Sequence, residues 1–252
     1  MKHKKHKYME DKLLAFKDLS TFKKFCDEYG ITFWLDDGTL LGAVRNGQFI
    51  PWEGDIDLGT TEHDIKKVYE NRRYLEDLGY RFFPKQQGYG IIGKNLSSKI
   101  DISSYKFKDD IAYQFDFERN IFGSFFDLFI FVLNLYDGDY KYETIVPRKT
   151  IKKFVHIFSV IPESIRMKII DVSNVLYDKI GKSKLIVLKT PKYHFDKLLK
   201  IKFYDEIFNS PCDIENYLKN LYGSDWRIPK IYSNDKKSEN YKWKGFKNTE
   251  IT

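Results

Sequence analysis

Apolar residues recur along the chain with two different spacings, which predict alternating helices and strands. Residues 9–29 place leucine and phenylalanine near helical spacing and stop at Gly30, which predicts an amphipathic helix. Residues 31–35 (ITFWL) and 55–59 (DIDLG) have the short apolar or alternating pattern that is typical of strands. Residues 39–45 (TLLGAVR) predict a short helix between them.

The rest of the chain continues this pattern and then changes character. Residues 61–79 predict a second helix, and several short β-like runs follow it. Residues 124–133 (SFFDLFIFVL) are apolar on both faces, which predicts a central strand. The pattern turns helical from about 150 to 200, and residues 213–223 predict a last helix.

These elements predict an α+β fold in which a mixed sheet is flanked by helices. We expect one domain over residues 1–252, with a helical subregion at about 150–205. The composition agrees with a folded globular protein, since 42% of the residues are hydrophobic and 17% are aromatic.

Cysteine usage and the apolar runs bear on where the protein works. Cys26 and Cys212 are the only cysteines and have no ligand spacing, which argues against a zinc site and a disulfide framework. The N-terminus lacks the apolar run of a signal peptide, and the most apolar stretch, residues 125–136, is too short to span a bilayer. We therefore expect a cytoplasmic protein.

Positive charge is concentrated in one part of the chain. Residues 149–202 contain 13 Lys or Arg against four Asp or Glu, whereas the whole chain carries a net charge of +7. Such a segment suits nucleic acid, an acidic lipid surface or a phosphate-bearing substrate. The alternative interpretation is a solvated helical surface without a specific partner.

Carboxylates are the strongest chemical signal. On a strand, Asp55 and Asp57 point to the same face, and Asp127 interrupts an apolar run where a bare carboxylate is costly. If these three converge, they form an oxygen-rich set suited to Mg²⁺ or Mn²⁺. Two alternatives stay open: Asp127 pairs with a buried basic residue or lies at a strand end, and Asp101 is a competitor for the third acid.

The turn that opens the predicted helix 39–45 suggests a place for an anion. Free backbone N–H groups at Gly38 and Thr39, together with the helix dipole, favour a phosphate, and Arg45 follows at a distance that can reach it. A phosphate site followed by a carboxylate metal site is the arrangement used in phosphoryl or nucleotidyl transfer.

At this point the sequence resembles a known family. Residues 33–59 (FWLDDGTLLGAVRNGQFIPWEGDIDLG) look like the signature of the LicD/fukutin family, within the nucleotidyltransferase-fold superfamily. Residues 125–131 (FFDLFIF) resemble the later strand that carries the family's third acid, and residues 216–230 (NYLKNLYGSDWRIPK) resemble its C-terminal element. The likeness therefore covers most of the chain.

The resemblance implies a nucleotidyltransferase-like core and a transferase that depends on Mg²⁺ or Mn²⁺. Such an enzyme moves a phospho-substituent, such as phosphocholine, glycerol phosphate or ribitol phosphate, from a CDP-linked donor to a glycan hydroxyl and releases CMP. In this sequence Asp55, Asp57 and Asp127 match the family's metal-binding acids. Gly38, Thr39 and Arg45 match the turn and the arginine that we expect to contact the donor.

The chain also departs from the family's pattern. Many members have three consecutive acids before the isoleucine, whereas this chain has Trp52-Glu53-Gly54-Asp55, and Gly54 removes one carboxylate. We count Trp52 and Glu53 among the substrate-binding residues. Trp34, Trp52 and Trp226 are candidates to line the donor site, although aromatic residues at strand ends more often belong to the core.

Two other functions remain open. Nucleotidylyl transfer from a nucleoside triphosphate would use the same carboxylates and release pyrophosphate. A basic, aromatic nucleic-acid-binding module without catalysis would leave the acidic motif unexplained. We expect a CDP-linked donor, a glycan or lipid-linked oligosaccharide acceptor and contact with the inner membrane surface, and no nucleic acid.

Overall fold

The computed structural model describes residues 12–85, 88–92, 98–133, 148–229 and 250–251. The chain divides into two compact units, each described here by itself. Unit 1 comprises Met1–Phe82, Gln87–Phe115 and Val187–Glu250, and unit 2 comprises Phe83–Gln86, Asp116–Ile186 and Ile251–Thr252. Within the described ranges, none of the helices has both the length and the apolar character needed to cross a membrane.

Helices and strands follow one another along the whole described chain. The helices are α1 (Lys12–Glu28), α2 (Asp37–Asn46), α3 (Glu62–Glu70), α4 (Arg73–Asp77), α5 (Ile121–Leu133), α6 (Arg148–Ser159), α7 (Glu163–Leu176), a π-helical turn (Tyr177–Gly181), α8 (Tyr193–Asp196) and α9 (Ile214–Tyr222). The strands are β1 (Phe33–Leu35), β2 (Ile56–Thr61), β3 (Arg81–Lys85), β4 (Gly88–Ile92), β5 (Lys99–Lys108), β6 (Ile111–Arg119), β7 (Lys182–Pro191), β8 (Leu199–Phe203), β9 (Glu206–Ser210) and β10 (Glu250–Ile251).

The first elements of unit 1 confirm the helix–strand–helix–strand prediction. α1, β1, α2 and β2 lie where the apolar pattern placed them. Asp36 is the N-cap of α2, and its side chain accepts a hydrogen bond from the Asp37 N–H at 2.9 Å. Gly47 ends α2 in the left-handed conformation (φ 67°), which a residue without Cβ adopts without steric cost. The predicted helix over 61–79 is two helices, α3 and α4.

A mixed sheet carries the functional elements. Its strand order is β1–β2–β5–β6–β7–β10, with β4 also paired to β5 and β3 to β4. β2 runs antiparallel to β1, and it runs parallel to β5 in a register that pairs Asp57 with Asp101. Side chains of directly paired residues point to the same face of a sheet, so these two carboxylates are neighbours. The mixed sheet with flanking helices confirms the predicted fold class.

The core of unit 1 is rich in aromatic rings. Phe22 of α1 contacts Phe33 of β1 edge to face, with ring centroids 5.4 Å apart. The hairpin of β8 and β9, which the apolar pattern did not predict, adds Phe203 and Phe208 to this core. Burial of α1, β1 and the hairpin against one another therefore supports the strand that carries the functional aspartates.

In unit 2, the predicted central strand over 124–133 is wrong, because these residues form helix α5. The side chain of Asn120 accepts a hydrogen bond from the Gly123 N–H at 2.9 Å, and its carbonyl accepts one from the Ser124 N–H at 3.0 Å. Asn120 thus caps a helix. An apolar run of this length fits a buried helix as well as a strand, and α5 buries Ile130 and Leu133 against other helical residues of unit 2.

The predicted helical subregion at about 150–205 is confirmed only in its first part. α6, α7 and the π-helical turn extend from Arg148 to Gly181, and β7 then begins at Lys182. Lysine-rich surroundings obscured the run LIVLKT (185–190), whose β-branched residues favour a strand. The polar stretch 230–249 lies outside the described residues.

We expect the substitution Gly59→Ala to destabilise unit 1, because a Cβ at residue 59 of β2 would overlap the buried Trp34 indole and crowd the Asp36 carboxylate. Overpacking of this kind costs about 1–3 kcal/mol. Urea unfolding followed by circular dichroism measures the loss. Ser104→Ala, on the strand position paired with Thr60, is the control and should change the free energy of unfolding by less than about 0.5 kcal/mol. Equal stability of the two variants would contradict the close approach.

Candidate functional site

The start of α2 is fastened to β2 by a set of hydrogen bonds around Asp57. The Asp57 N–H donates to Thr39 Oγ1 at 2.8 Å, and the Gly38 N–H donates to Asp57 Oδ2 at 3.2 Å. The Asp36 N–H also donates to the Asp57 carbonyl at 3.1 Å. The Gly38 N–H was predicted to be free for an anion, but here it serves a carboxylate of the chain itself. The turn therefore orients Asp57.

A buried carboxylate supports this turn from behind. Asp36 is 1% exposed, and its two oxygens accept hydrogen bonds from the hydroxyls of Tyr105 and Tyr217, each at 2.6 Å. Burial raises the pKa of Asp36, and the hydrogen bonds from the two tyrosines and the Asp37 N–H oppose that rise. Neither tyrosine was predicted from the sequence, because the spacing of the two residues from Asp36 carries no local signal.

Three carboxylates meet where β2 and β5 run side by side. Asp55, Asp57 and Asp101 each offer an oxygen, and these atoms all lie within 4.8 Å of one another. The parallel register of β2 and β5 is the cause, since it pairs Asp57 with Asp101. Three carboxylate oxygens at this spacing suit a hard divalent cation such as Mg²⁺ or Mn²⁺, so the donor set fits the metal that the sequence predicts.

A lysine ammonium sits among these acids. Lys99 Nζ lies 2.8 Å from Asp101 Oδ2 and 3.3 Å from Asp55 Oδ2. The Lys99 side chain is 15% exposed and the Asp101 side chain 12%, so the pair is largely shielded from water. Shielding strengthens the attraction between the charges, but both groups lose hydration.

Burial and the charges of neighbouring acids raise the pKa of two carboxyls at this site, Asp57 and Glu53. Burial raises the pKa of Asp57 well above its ordinary value, and the charges of Asp55, Asp37 and Asp101 raise it further. Burial also raises the pKa of Glu53, Asp55 adds to the rise, and the ammonium of Lys12 opposes it. A cation bound among these carboxylates would relieve both effects.

An open cleft adjoins the acid cluster in unit 1. Four of the predicted substrate-binding residues line it, namely Gly38, Arg45, Trp52 and Glu53, together with Leu41, Ile50, Tyr222, Trp226 and Ile228. A Cβ placed on Gly38 would lie 3.1 Å from Asp57 Oδ2 and 3.6 Å from the Glu53 carboxyl carbon, so the cleft wall touches the cluster. In the described parts of the chain no carboxylate forms an ion pair with Arg45.

Tyr222, on the last turn of α9, is a cleft residue that was not singled out from the sequence. Burial raises the pKa of its hydroxyl well above the ordinary value, and Asp37 and Asp57 raise it further. The hydroxyl therefore remains protonated beside the acids and can donate a hydrogen bond. Its sequence signal was the C-terminal element over 216–230.

The described structure does not include the side chain of every predicted site residue. Asp127 lies on α5 in unit 2, and its side chain is outside the described part of the structure, so its role as a metal ligand stays a prediction. Asp101, the competitor for that role, lies beside Asp55 and Asp57. Among the tryptophans, Trp34 and Trp226 are buried in the core, and Trp226 also forms part of the cleft wall together with the half-buried Trp52.

Comparison with known proteins places the same segment in one family. The sequence profile described as "LicD/FKTN/FKRP, nucleotidyltransferase domain" matches residues 30–164, which is more than half of the chain. The matched part contains α2, β2 and β5, and therefore the turn and all three clustered aspartates.

Individual relatives carry transferase names. The chain is 42% identical over 55 residues to the lipopolysaccharide cholinephosphotransferase LicD of Haemophilus influenzae, covering 22% of this chain and 21% of that protein. It is 25% identical over 209 residues to the human ribitol-5-phosphate transferase FKTN, covering 82% of this chain and 32% of that protein. The chain thus spans about a third or less of the length of these relatives.

Among solved structures, a crystal structure of ANT(2″)-Ia in complex with adenylyl-2″-tobramycin is similar to the chain. The two are 16% identical, and the match covers 66% of this chain and 97% of that chain. The TM-score is 0.30.

The raised pKa of Asp57 predicts that the ionised carboxylate destabilises the metal-free fold. When a carboxyl has a higher pKa in the folded than in the unfolded state, the folded protein loses stability as the pH rises through the folded-state pKa. In the presence of EDTA, we therefore expect Asp57→Asn to raise the free energy of unfolding at pH 8 by about 1 kcal/mol or more. The gain should be smaller at pH 5.

Thermal and urea unfolding at the two pH values measure this difference. Asp77→Asn is the matched control, because Asp77 is exposed at the end of α4 and should leave stability unchanged at both pH values. A decrease in stability for Asp57→Asn at pH 8, or the same gain at both pH values, would contradict the repulsion argument.

Proposed function

The chain belongs to the LicD/FKTN/FKRP family of nucleotidyltransferase domains, and from this premise we propose that it transfers a phospho-substituent from a CDP-linked donor to a glycan hydroxyl. CMP is the second product. The observation that carries the proposal is the three-aspartate cluster beside a cleft whose wall contains Arg45. Phosphoryl transfer requires acidic side chains that bind a metal ion and, next to them, a positively charged side chain that binds phosphate.

Asp55, Asp57 and Asp101 would hold Mg²⁺ or Mn²⁺. When bound, such an ion supplies charge neutralisation for the donor diphosphate and for the departing CMP. The hydrogen bonds from Gly38 and Thr39 keep Asp57 oriented for this task, so the turn contributes through positioning. Arg45 presents a planar guanidinium to the cleft and binds oxygens of the transferred phosphoryl group.

The remaining cleft residues divide the other tasks. Trp52 offers aromatic surface for the cytosine or the donor headgroup, and the largely buried Trp226 lines the same cleft. Glu53 lines the cleft and has a raised pKa, so it is our candidate to accept the proton of the attacking sugar hydroxyl. Asp127, which was predicted from the sequence to bind the metal, is the alternative candidate for this base.

The names of the relatives suggest which phospho-substituents this chain could transfer. One is a lipopolysaccharide cholinephosphotransferase and another a ribitol-5-phosphate transferase. We propose phosphocholine, ribitol phosphate or glycerol phosphate as the group transferred here, and a cell-surface glycan or its lipid-linked precursor as the acceptor. A lipid-linked acceptor would require the enzyme to work at a membrane surface.

Helix α6 of unit 2 supports such a location. Phe154, Ile157 and Val160 expose 46%, 58% and 79% of their surface on and directly after this helix. Lys152 and Lys153 are exposed beside them. A helix with exposed apolar side chains and flanking lysines suits the interface of an anionic bilayer, which receives the apolar groups and attracts the cations. We propose that α6 rests on such a surface.

Turnover tests the proposed reaction. With CDP-choline, CDP-ribitol or CDP-glycerol, a candidate glycan and Mg²⁺, we expect CMP release that stops with EDTA. Asp57→Ala should lower the rate by at least about 100-fold, since it removes a metal ligand. Pyrophosphate release from a nucleoside triphosphate would instead identify nucleotidylyl transfer, and salt-sensitive RNA binding without turnover would identify a binding module.

A matched pair of variants separates the two candidates for the third acid. Asp101→Asn should weaken Mn²⁺ binding and turnover, whereas Asp127→Asn should leave Mn²⁺ binding unchanged if Asp101 completes the metal site. The reverse result would identify Asp127 as the third metal-binding acid.

Vesicle co-sedimentation tests the membrane contact. We expect the protein to bind vesicles of phosphatidylcholine with phosphatidylglycerol more strongly than vesicles of phosphatidylcholine alone. Phe154→Ser with Ile157→Ser should weaken both interactions, and Lys152→Glu with Lys153→Glu should remove the preference for anionic lipid, by about 1 kcal/mol per lysine. Equal binding of all variants would contradict the proposed surface, and selective binding of RNA by this segment would replace it.

A further inference from the structure

Lys99 occupies a position that the proposed function does not explain. It is the first residue of β5 and precedes Asp101 by two positions, so both side chains lie on one face of the strand. Its ammonium contacts Asp101 Oδ2 at 2.8 Å and Asp55 Oδ2 at 3.3 Å. Two of the three carboxylates that would hold a metal ion are therefore engaged with a cation that belongs to the chain.

An ammonium and a divalent cation compete for such oxygens. Mg²⁺ binds carboxylate oxygens at 2.0–2.1 Å and in near-octahedral geometry, which leaves little room for a lysine donor on the same lone pairs. The two positive charges also repel each other, most strongly where water is largely excluded. The Lys99 side chain is 15% exposed, so water screens this repulsion only in part. Metal binding through the Oδ2 atoms of Asp55 and Asp101 therefore requires the ammonium to move.

We propose that Lys99 is an internal competitor for the metal ion. In the metal-free protein its ammonium holds Asp55 and Asp101 together and offsets part of their repulsion. A divalent cation then binds weakly until a phosphate-bearing ligand accompanies it, because the displaced ammonium gains a phosphate oxygen as a new partner. This inference rests on the proposed metal site and adds that metal and nucleotide bind cooperatively.

A structural ion pair is the competing explanation. In that case Lys99 would stabilise the junction of β2 and β5, and the metal would use the acids without disturbing it. Removal of the ammonium would then lower the stability of the fold and leave the metal affinity unchanged or weaker. Metal affinity in the absence of nucleotide separates the two explanations.

The experiment compares wild type with Lys99→Met, which keeps an unbranched apolar stem, and Lys99→Arg, which keeps the charge. Free Mn²⁺ is measured by electron paramagnetic resonance during titration of each protein, with and without CDP. We expect Lys99→Met to bind Mn²⁺ about tenfold more tightly than wild type without CDP, and Lys99→Arg to stay near wild type. CDP should tighten Mn²⁺ binding in wild type and have a smaller effect in Lys99→Met.

Each other outcome has a definite meaning. Equal or weaker Mn²⁺ binding by Lys99→Met overturns the competition while the metal site stands. Absence of Mn²⁺ binding in both proteins overturns the metal site and this inference with it. Circular dichroism and thermal unfolding verify that each variant is folded, and Lys99→Gln replaces Lys99→Met if the latter does not fold.

Discussion

The parallel pairing of β2 with β5 forces like charges together, and much of the surrounding structure serves to tolerate this. Asp57 and Asp101 are paired residues of the two strands. Asp55 precedes Asp57 by two residues and therefore lies on the same face. Carboxylates at this spacing repel each other and lose hydration. The core beneath the strands, from α1 to the β8–β9 hairpin, is large and aromatic, and its burial offsets this cost in free energy.

Hydrogen bonds rather than opposite charges fix the central acid. The Asp57 side chain accepts a hydrogen bond from the Gly38 N–H, and the Asp57 N–H donates one to Thr39 Oγ1. Hydrogen bonds between α2 and β2 therefore hold Asp57 from two directions. Asp36 anchors the same turn through the hydroxyls of Tyr105 and Tyr217, which come from β5 and α9. Elements distant in the sequence thus converge on one turn, and this preorganises a site whose charge is unfavourable without a bound cation.

Local patterns predicted this part of the fold well. The apolar spacing located α1, β1, α2 and β2, and the alternation in residues 55–59 placed Asp55 and Asp57 on one face. The cluster's third member was harder to assign, because the register between β2 and β5 depends on strands more than 40 residues apart, and a single sequence carries no record of that register. Asp101 stands in a polar, alternating strand, which looks less buried than an apolar one, yet Asp101 is only 9% exposed.

The strand prediction over 124–133 failed for a different reason. A run that is apolar at every position has no period, so burial alone cannot distinguish a helix from a strand. The decisive signal was the capping residue Asn120, four positions before the predicted start. Asp127 was assigned to the metal site partly because a carboxylate in a buried strand needs a partner, and the segment assumed to be that strand is helix α5.

The departure from the family's acidic pattern has a structural counterpart in the cleft. Gly54 removes one carboxylate from the segment before Asp55, but Glu53 lines the cleft, and its charge contributes to the raised pKa of Asp57. Its longer side chain therefore brings negative charge toward the cluster from the cleft side. Lys12, whose Nζ donates to the Glu53 carbonyl at 2.9 Å, and Lys99 oppose that charge from two sides. Acids still outnumber these lysines around Asp57, and this excess of negative charge is what makes a divalent cation the favoured ligand.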